Sequence, residues 1–251
     1  MLKILFLGYE NNRLVDFLSS RSVMKQTMEK LTLQEIEEYN PDLIISYGYK
    51  SILSKDIVNA YEGRIINLHI SYLPWNKGMY PNIWSIIDNT PTGVTIHLID
   101  DGIDTGDILF QRFVDISDKD TLSTSYWKLR EEIENLFIKN WQTIKALDFE
   151  RKKQVPDGTF HLKKTSHIYF NRLNILNNWE ITVGELKRRS DEDIINEVQQ
   201  IRQKNNTHWM DVVKLAFRIS PVEAREIFKK IKYCDFKINE LLKELAENEQ
   251  Q

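Results

Sequence analysis

The sequence predicts an α/β fold, an open, twisted, mostly parallel sheet with flanking helices, followed by a β-hairpin and a helical C-terminal tail. Three observations predict it. Short apolar runs recur in the first half, each running toward a glycine; polar, helix-forming stretches separate them; and past residue 150 the pattern turns first to a short strand-turn-strand and then to helical spacing. A main domain over residues 1–150 and a hairpin-plus-helix region over 151–251 follow from that change. With 251 residues, 41% of them hydrophobic, the chain can bury a full core and still carry an appendage.

The elements follow in chain order. Leu2 to Leu7 runs into Gly8, and Leu43 to Ile45 is followed by Gly48, so both read as buried parallel strands feeding loops. Ser54 is placed to cap a helix over SKDIVNAYEG, with Ile57 and Val58 facing inward and Gly63 ending it, and RIINL is the next strand. Thr92 to Leu98 alternates, Val94, Ile96 and Leu98 on one face and Thr95 and His97 on the other, and Ile108 to Phe113 is a further strand. From Asp120, a candidate cap, Leu122, Tyr126, Leu129, Ile133, Leu136, Phe137, Trp141 and Ile144 recur at helical spacing and predict one long amphipathic helix. The Pro-Asp-Gly turn in KKQVPDGTFHLKK separates two strand-like pieces, hence the hairpin. Capping-box patterns at Thr182 with Glu185, Ser190 with Asp193, and Ser220 with Glu223, the last with Pro221 at the first helical position, predict the tail helices. Single apolar faces in WMDVVKLAF and DFKINELLKELA require these helices to pack on the first domain, on each other or on a second subunit.

Composition narrows the partners. The formal net charge of −3 is the difference between 34 basic and 37 acidic side chains, so no overall positive field draws the chain to nucleic acid or anionic lipid. A lone cysteine, Cys234, rules out an intrachain disulfide and a cysteine-only metal cluster, no zinc motif is present, and a reducing, cytoplasmic setting is expected. The opening MLKILFLGYE is too short an apolar run for a secretory core, and no stretch of about 18 apolar residues follows, so a membrane span is not expected.

The chemistry concentrates between Asn67 and Asp107. Asn67 and His69 stand one residue apart at the end of the RIINL strand, so their side chains point to one side, at the sheet edge where open α/β folds bind ligands. The loop DDGIDTGD is able to return Asp104 to the same place. An amide, an imidazole and a carboxylate suit acyl transfer to an amine: donors for the oxygen that gains charge, and a route for the amine proton. No serine or cysteine nucleophile is needed.

NLHISYLP followed by a glycine, and then GVTIHLIDDGIDTGDI, resembles the folate-dependent formyltransferases. The resemblance implies catalytic roles for Asn67, His69 and Asp104, beside Ser71, Leu73 and Pro74 of the family's motif. It implies a formyltransferase-type sheet whose amino-terminal half is abridged, since about 40 residues precede PDLIISYG. It implies 10-formyltetrahydrofolate as formyl donor, with no metal, held by Lys50, Ser51, Ile52 and Leu53 on one side and by His97, Ile99, Asp100 and Asp101 on the other. The wording LPWNKGxxPNxWS, with GTFH and the helical tail, is similar to the sugar N-formyltransferases acting on dTDP-linked amino sugars. That implies substrate contacts from Trp75, Lys77, Tyr80 and Asn82 and a homodimer. The expected substrate is dTDP-4-amino-4,6-dideoxyglucose, next the 3-amino isomer, for O-antigen or other surface-glycan synthesis.

Each residue also has an ordinary structural reading. Asn67 can bond a turn, Asp104 can cap the IDTG loop, and His97 can be a packed strand residue. Lys77 can be a solvated loop lysine, Trp75, Tyr80 and Trp84 can pack beside the Pro turn, and the hairpin carrying His161 can touch nucleotide or a partner subunit. Three other functions use the same groups: hydrolysis of formyltetrahydrofolate, formyl transfer to another amine, and folate or nucleotide-sugar binding without turnover.

Overall fold

β1 (Lys3–Gly8) shows why the fold has three layers. Its alternate side chains, Ile4 and Phe6 against Leu5 and Leu7, are all fully buried, and they belong to two different cores. A strand apolar on both faces needs a cover on each. The computed structural model describes residues 1–10, 13–172, 175–188, 203, 205 and 208–247. Contacts divide the chain into two units, Met1–Arg188 and Arg189–Gln251.

In the first unit β1, β2 (Val23–Thr27), β3 (Leu43–Tyr47), β4 (Ile65–His69), β6 (Gly93–Leu98) and β7 (Ile108–Phe113) form one sheet of order β2-β1-β3-β4-β6-β7. The pairs β1–β2, β1–β3 and β3–β4 are parallel, and β6 runs antiparallel to both β4 and β7. On one face α1 (Arg13–Ser19), α5 (Leu122–Lys139) and α6 (Trp141–Ala146) bury Leu14, Leu18, Leu129, Ile133, Phe137, Trp141 and Ile144 against Ile66, Leu68, Val94 and Ile96. On the other, α2 (Leu33–Tyr39) and α3 (Lys55–Ala60) bury Ile36 and Ile57 against Leu5, Leu7, Ile44 and Ile65. Each fully buried Leu or Ile contributes about 1.5–3 kcal/mol of transfer free energy. A third cluster joins Ile83, Trp84 and Ile86 of α4 (Pro81–Ile87) to Leu122, to Phe170 of α7 (Lys163–Arg172), to Ile175 and to Val183 of α8 (Val183–Lys187).

Several expectations are corrected. The hairpin does not pair with itself: Lys152 bridges to Ile108, and β8 (Phe160–His161) runs parallel to β5 (Lys77–Gly78). One arm pairs with the start of β7 and the other with the short strand β5. Thr121, not Asp120, caps α5, exchanging hydrogen bonds with Thr124 in a capping box, while the Asp120 carboxylate accepts from Ser117 N–H and Lys128. The long helix is interrupted at Asn140, which separates α5 from α6. β6 is buried along its whole length, because loops cover the face that carries Thr95 and His97. The Thr182 capping box is formed, and the Ser190–Asp193 pair lies outside the described residues. In the second unit residues 208–219 are helical, and after Ser220 a helix of 27 residues, Pro221–Glu247, begins with its proline in the first turn. Among the described residues no helix is long and apolar enough to cross a membrane.

Candidate active site

Cross-strand register builds the site. Ile66 and Leu68 of β4 face the α5 core, so Asn67 and His69 point the other way. β6 places His97 directly opposite Asn67 and Thr95 opposite His69, and directly paired residues share a face. The loop after β6 then folds back, and Asp104, in the left-handed region at φ 53°, turns its carboxylate onto this face. That conformation is one aspartate tolerates better than most side chains. Gln154 fixes the loop from outside, its Nε2 donating to the carbonyls of both Asp104 and Gly106 at 2.8 Å.

The Asp104 carboxylate is the centre. Oδ1 accepts from Asn67 Nδ2 at 3.1 Å and lies 3.4 Å from His97 Nε2; Oδ2 accepts from Gly78 N–H at 2.8 Å and lies 3.7 Å from His69 Nδ1. Gly78 stands at φ 90°, with its Cα so close to the chain that an added Cβ would sit 2.4 Å from the His161 carbonyl oxygen. Only glycine delivers that N–H there. The two rings have defined hydrogen-bond roles, since a carbonyl can only accept. His69 Nε2 donates to the Asn76 carbonyl at 3.0 Å, which in the neutral ring leaves the Nδ1 lone pair toward Asp104. His97 Nδ1 donates to the Leu98 carbonyl at 2.7 Å, and its Nε2 meets the Asn67 amide at 3.2 Å.

Burial pushes His69 below the usual imidazole range; the nearby Asp104 charge pulls upward without overcoming it, and His97 adds a further push down. Burial alone would raise Asp104, but the His69 charge, the hydrogen bond and charge of His97, and the Gly78 N–H together hold it well below the usual carboxylate range. The share owed to a charged His69 operates only where that ring is protonated. Near neutrality the hydrogen bonds from Gly78 and Asn67 keep the carboxylate ionised. The cluster is therefore an ionised carboxylate facing the free nitrogen of an uncharged imidazole, an arrangement fit to receive a proton.

This cluster lies in the wall of a pocket of about 610 Å³. All eight residues expected to hold folate line it: Lys50, Ser51, Ile52 and Leu53 on one side, His97, Ile99, Asp100 and Asp101 on the other. Ile52 is 76% exposed, an apolar side chain held at the pocket wall with little cover from the protein. The Asp100 carboxylate is engaged locally, accepting from Gly102 N–H and Thr105 Oγ1, and Asp101 pairs with Lys55 at 3.3 Å. Tyr80 and Asn82 also line the pocket, and the buried Asn82 Nδ2 has no hydrogen-bond partner among the described residues. Trp75 and Lys77 do not line it: the Lys77 backbone is drawn into the two-residue ladder with Phe160, and the Trp75 N–H closes a turn onto the Tyr72 carbonyl. His161 lines the pocket as well, stacks on Trp84 at 4.0 Å and stands 3.0 Å from Asp88.

Sequence reasoning missed Asn76, whose carbonyl orients His69, and Gln154, which has no local pattern to mark it. It also missed Arg130. This buried guanidinium lines the pocket, bonds Tyr47 Oη at 3.1 Å, sits 3.6 Å from Glu134 and packs over the rings of Tyr9 and Trp127 at 4.4 and 4.9 Å. The signal for it was the buried-face position of an arginine on α5, one turn after Tyr126.

Residues 10–140 match the family described as formyl transferase. The chain is 32% identical over 129 residues to a dTDP-4-amino-4,6-dideoxyglucose formyltransferase of Mycobacterium tuberculosis, covering 51% of this chain and 53% of that protein, so it spans about half the length of that relative. Among solved structures, it is similar to the formyltransferase PseJ from Anoxybacillus kamchatkensis in complex with UDP-4,6-dideoxy-4-formamido-L-AltNAc and tetrahydrofolate. There the identity is 43%, the TM-score 0.69, and the match covers 74% of this chain and 100% of that one. It also resembles an N-formyltransferase from Helicobacter canadensis in complex with folinic acid and dTDP-3-aminofucose, at 26% identity and TM-score 0.57, over 65% and 72% of the two chains.

Proposed function

The chain belongs to the formyl transferase family, and from that premise we propose that it transfers the formyl group of 10-formyltetrahydrofolate to the primary amine of a sugar linked to a pyrimidine nucleoside diphosphate. One observation carries the reading: the Asp104 carboxylate, ringed by Asn67, His69 and His97, in the wall of a pocket whose other residues suit a flat apolar ligand. The folate supplies an acyl carbon that a free amine can attack. The chain supplies the rest. Of the two Asn67 contacts, the longer, to His97, is the one that turns to the formyl oxygen as it gains charge. His69 takes the amine proton, and Asp104 stabilises the imidazolium so formed. Ile52, Leu53 and Ile99 wall the pterin, and Asn82 offers its unpaired amide to the sugar nucleotide.

The full coverage and 43% identity of the complex that holds a UDP-linked 4-formamido sugar favour a 4-amino-4,6-dideoxy sugar on UDP. The dTDP-linked 4-amino sugar, supported by a match over half the chain, ranks next, and the 3-amino isomer after it. We place the reaction in the cytoplasm and its product in a surface glycan such as an O-antigen. Mass spectrometry of a panel of UDP- and dTDP-linked amino sugars, incubated with protein and 10-formyltetrahydrofolate, tests this: one substrate should gain a single formyl unit. Stoichiometric formate with no formylated sugar would identify a hydrolase instead, and neither product would identify a binding protein.

A further inference from the structure

Arg130 is a buried charge that the formyl-transfer chemistry leaves unused. It stands on α5 at 9% exposure, yet it lines the same pocket as Asp104. Burying a guanidinium is costly unless its charge and its donors are matched. Here the match is partial. Among the described residues its one hydrogen bond runs from Nε to Tyr47 Oη at 3.1 Å, and Glu134 Oε1 lies 3.6 Å from Nη2, too far to accept. That oxygen already accepts from the Tyr47 hydroxyl at 3.0 Å. The rings of Tyr9 and Trp127, at 4.4 and 4.9 Å, and those of Tyr47 and Tyr126, at 5.4 and 5.9 Å, hold the guanidinium in place without engaging its N–H fork. Burial pushes the Tyr47 and Tyr126 phenols up, so both stay neutral hydroxyls. A planar cation with donors to spare, opening onto a ligand pocket, suits an oxyanion.

Its place in the pocket says which oxyanion. The pocket spans the carboxyl end of the sheet, and its two walls belong to different layers. Tyr49, Leu53 and Ile99, among the residues assigned to folate, pack on the α2 and α3 core, whereas Tyr9, Tyr47 and Ile70 belong with the α5 core. Asn67 and His69 stand at a strand end between them. Folate laid on the first wall keeps its carboxylates on that side, where Lys50 is exposed. The amine reaches the formyl carbon from the opposite wall, so the anion arriving beside Arg130 is carried by the amine donor. We propose that Arg130 holds the diphosphate of the sugar nucleotide, and so makes the nucleotide a condition of tight binding. The inference rests on the formyl-transfer reading and adds to it: an amino sugar without its nucleotide would offer the guanidinium nothing.

Calorimetric titration with UDP and dTDP tests it, with 5-formyltetrahydrofolate as the control ligand and a melting curve for each variant. Arg130→Lys keeps the charge but loses the fork, and should weaken nucleoside diphosphate binding about tenfold while folate binding and a cooperative melt are retained. Glu134→Gln removes the competing negative charge, and should tighten nucleoside diphosphate binding about threefold, a gain that a damaged fold does not produce. Unchanged nucleotide affinity in Arg130→Lys overturns the proposal. So does a loss confined to the folate, which would assign Arg130 to the glutamate carboxylates, and so does a Glu134→Gln protein that binds nucleotide no more tightly than wild type. A wild-type chain that binds neither nucleotide overturns the sugar-nucleotide reading itself, and this inference falls with it.

Discussion

At the scale of single residues, the site is a problem of keeping one carboxylate charged and one imidazole uncharged in a buried place. Replacing Asp104 with Asn keeps its shape and its backbone clamp from Gln154 but removes the charge that stabilises a protonated His69. The expected outcome is a loss of kcat of at least about a hundredfold with a cooperative but lowered melting transition, since the ionised carboxylate held by Gly78 and Asn67 also stabilises the fold, measured by formyl-sugar production and a melting curve. His69 also sets a pH dependence of stability. Its folded pKa is lowered from 6.5 by burial, so on acidification the unfolded chain takes the proton first and the folded state loses stability below pH 6.5, until the lower folded pKa is reached. Asp104, depressed as well, adds its own loss only below its ordinary value of 3.8. Between pH 7 and 5.5, therefore, His69→Asn should flatten the fall in melting temperature; an unchanged slope would show that folding does not shift the pKa of this ring, and a steeper one that the folded protein favours its charged form. At the sugar end, Asn82→Ala removes the buried amide that has no partner among the described residues, and KM for the nucleotide sugar should rise about tenfold with kcat little changed.

At the scale of elements, β1, β3, β4, β6 and β7 were legible because each is an apolar run or alternation beside a turn signal, and α5 because of its periodicity, whereas β2, half-exposed and reading VMKQT, was hidden in a polar, helix-forming stretch, and the caps expected at Asp120 and Ser54 form no side-chain cap bond. What stayed hidden depends on partners distant in sequence. Nothing local marks Lys77–Gly78 and Phe160–His161 as a ladder, since two residues carry no alternation to read. His97 joins Asp104 because β6 runs antiparallel beside β4 and sets it opposite Asn67; register of that kind is a property of the pair, not of either segment. Asp104 itself was legible only through the combined motif, for the loop residues alone admit a plain turn. The β5–β8 ladder yields a test at its own scale. Gly78→Ala forces a Cβ against the His161 carbonyl and a left-handed backbone onto alanine, so the ladder must open and the N–H withdraw from Asp104. The expected cost is about 2 kcal/mol, a fall in melting temperature of roughly 4–8 °C, together with a loss of turnover. Thr182→Ala, which removes only the α8 capping box, should cost about 1 kcal/mol and leave turnover intact.

At the scale of the whole molecule, the pocket and the cores belong to one of the two units. Among the described residues, the three hydrophobic clusters, the pocket lining and the Asp104 hydrogen-bond network all fall within Met1–Arg188. A core that closes without the second unit has the buried area it needs to fold alone. A chain ending at Arg188 should therefore unfold cooperatively and keep kcat/KM for the amino-sugar nucleotide within about threefold of the full-length protein. Circular dichroism and formyl-transfer kinetics on the same preparation separate the possibilities. If the shortened chain melts cooperatively yet has lost most of its turnover, the second unit contributes to catalysis and the division of labour between the two units is wrong.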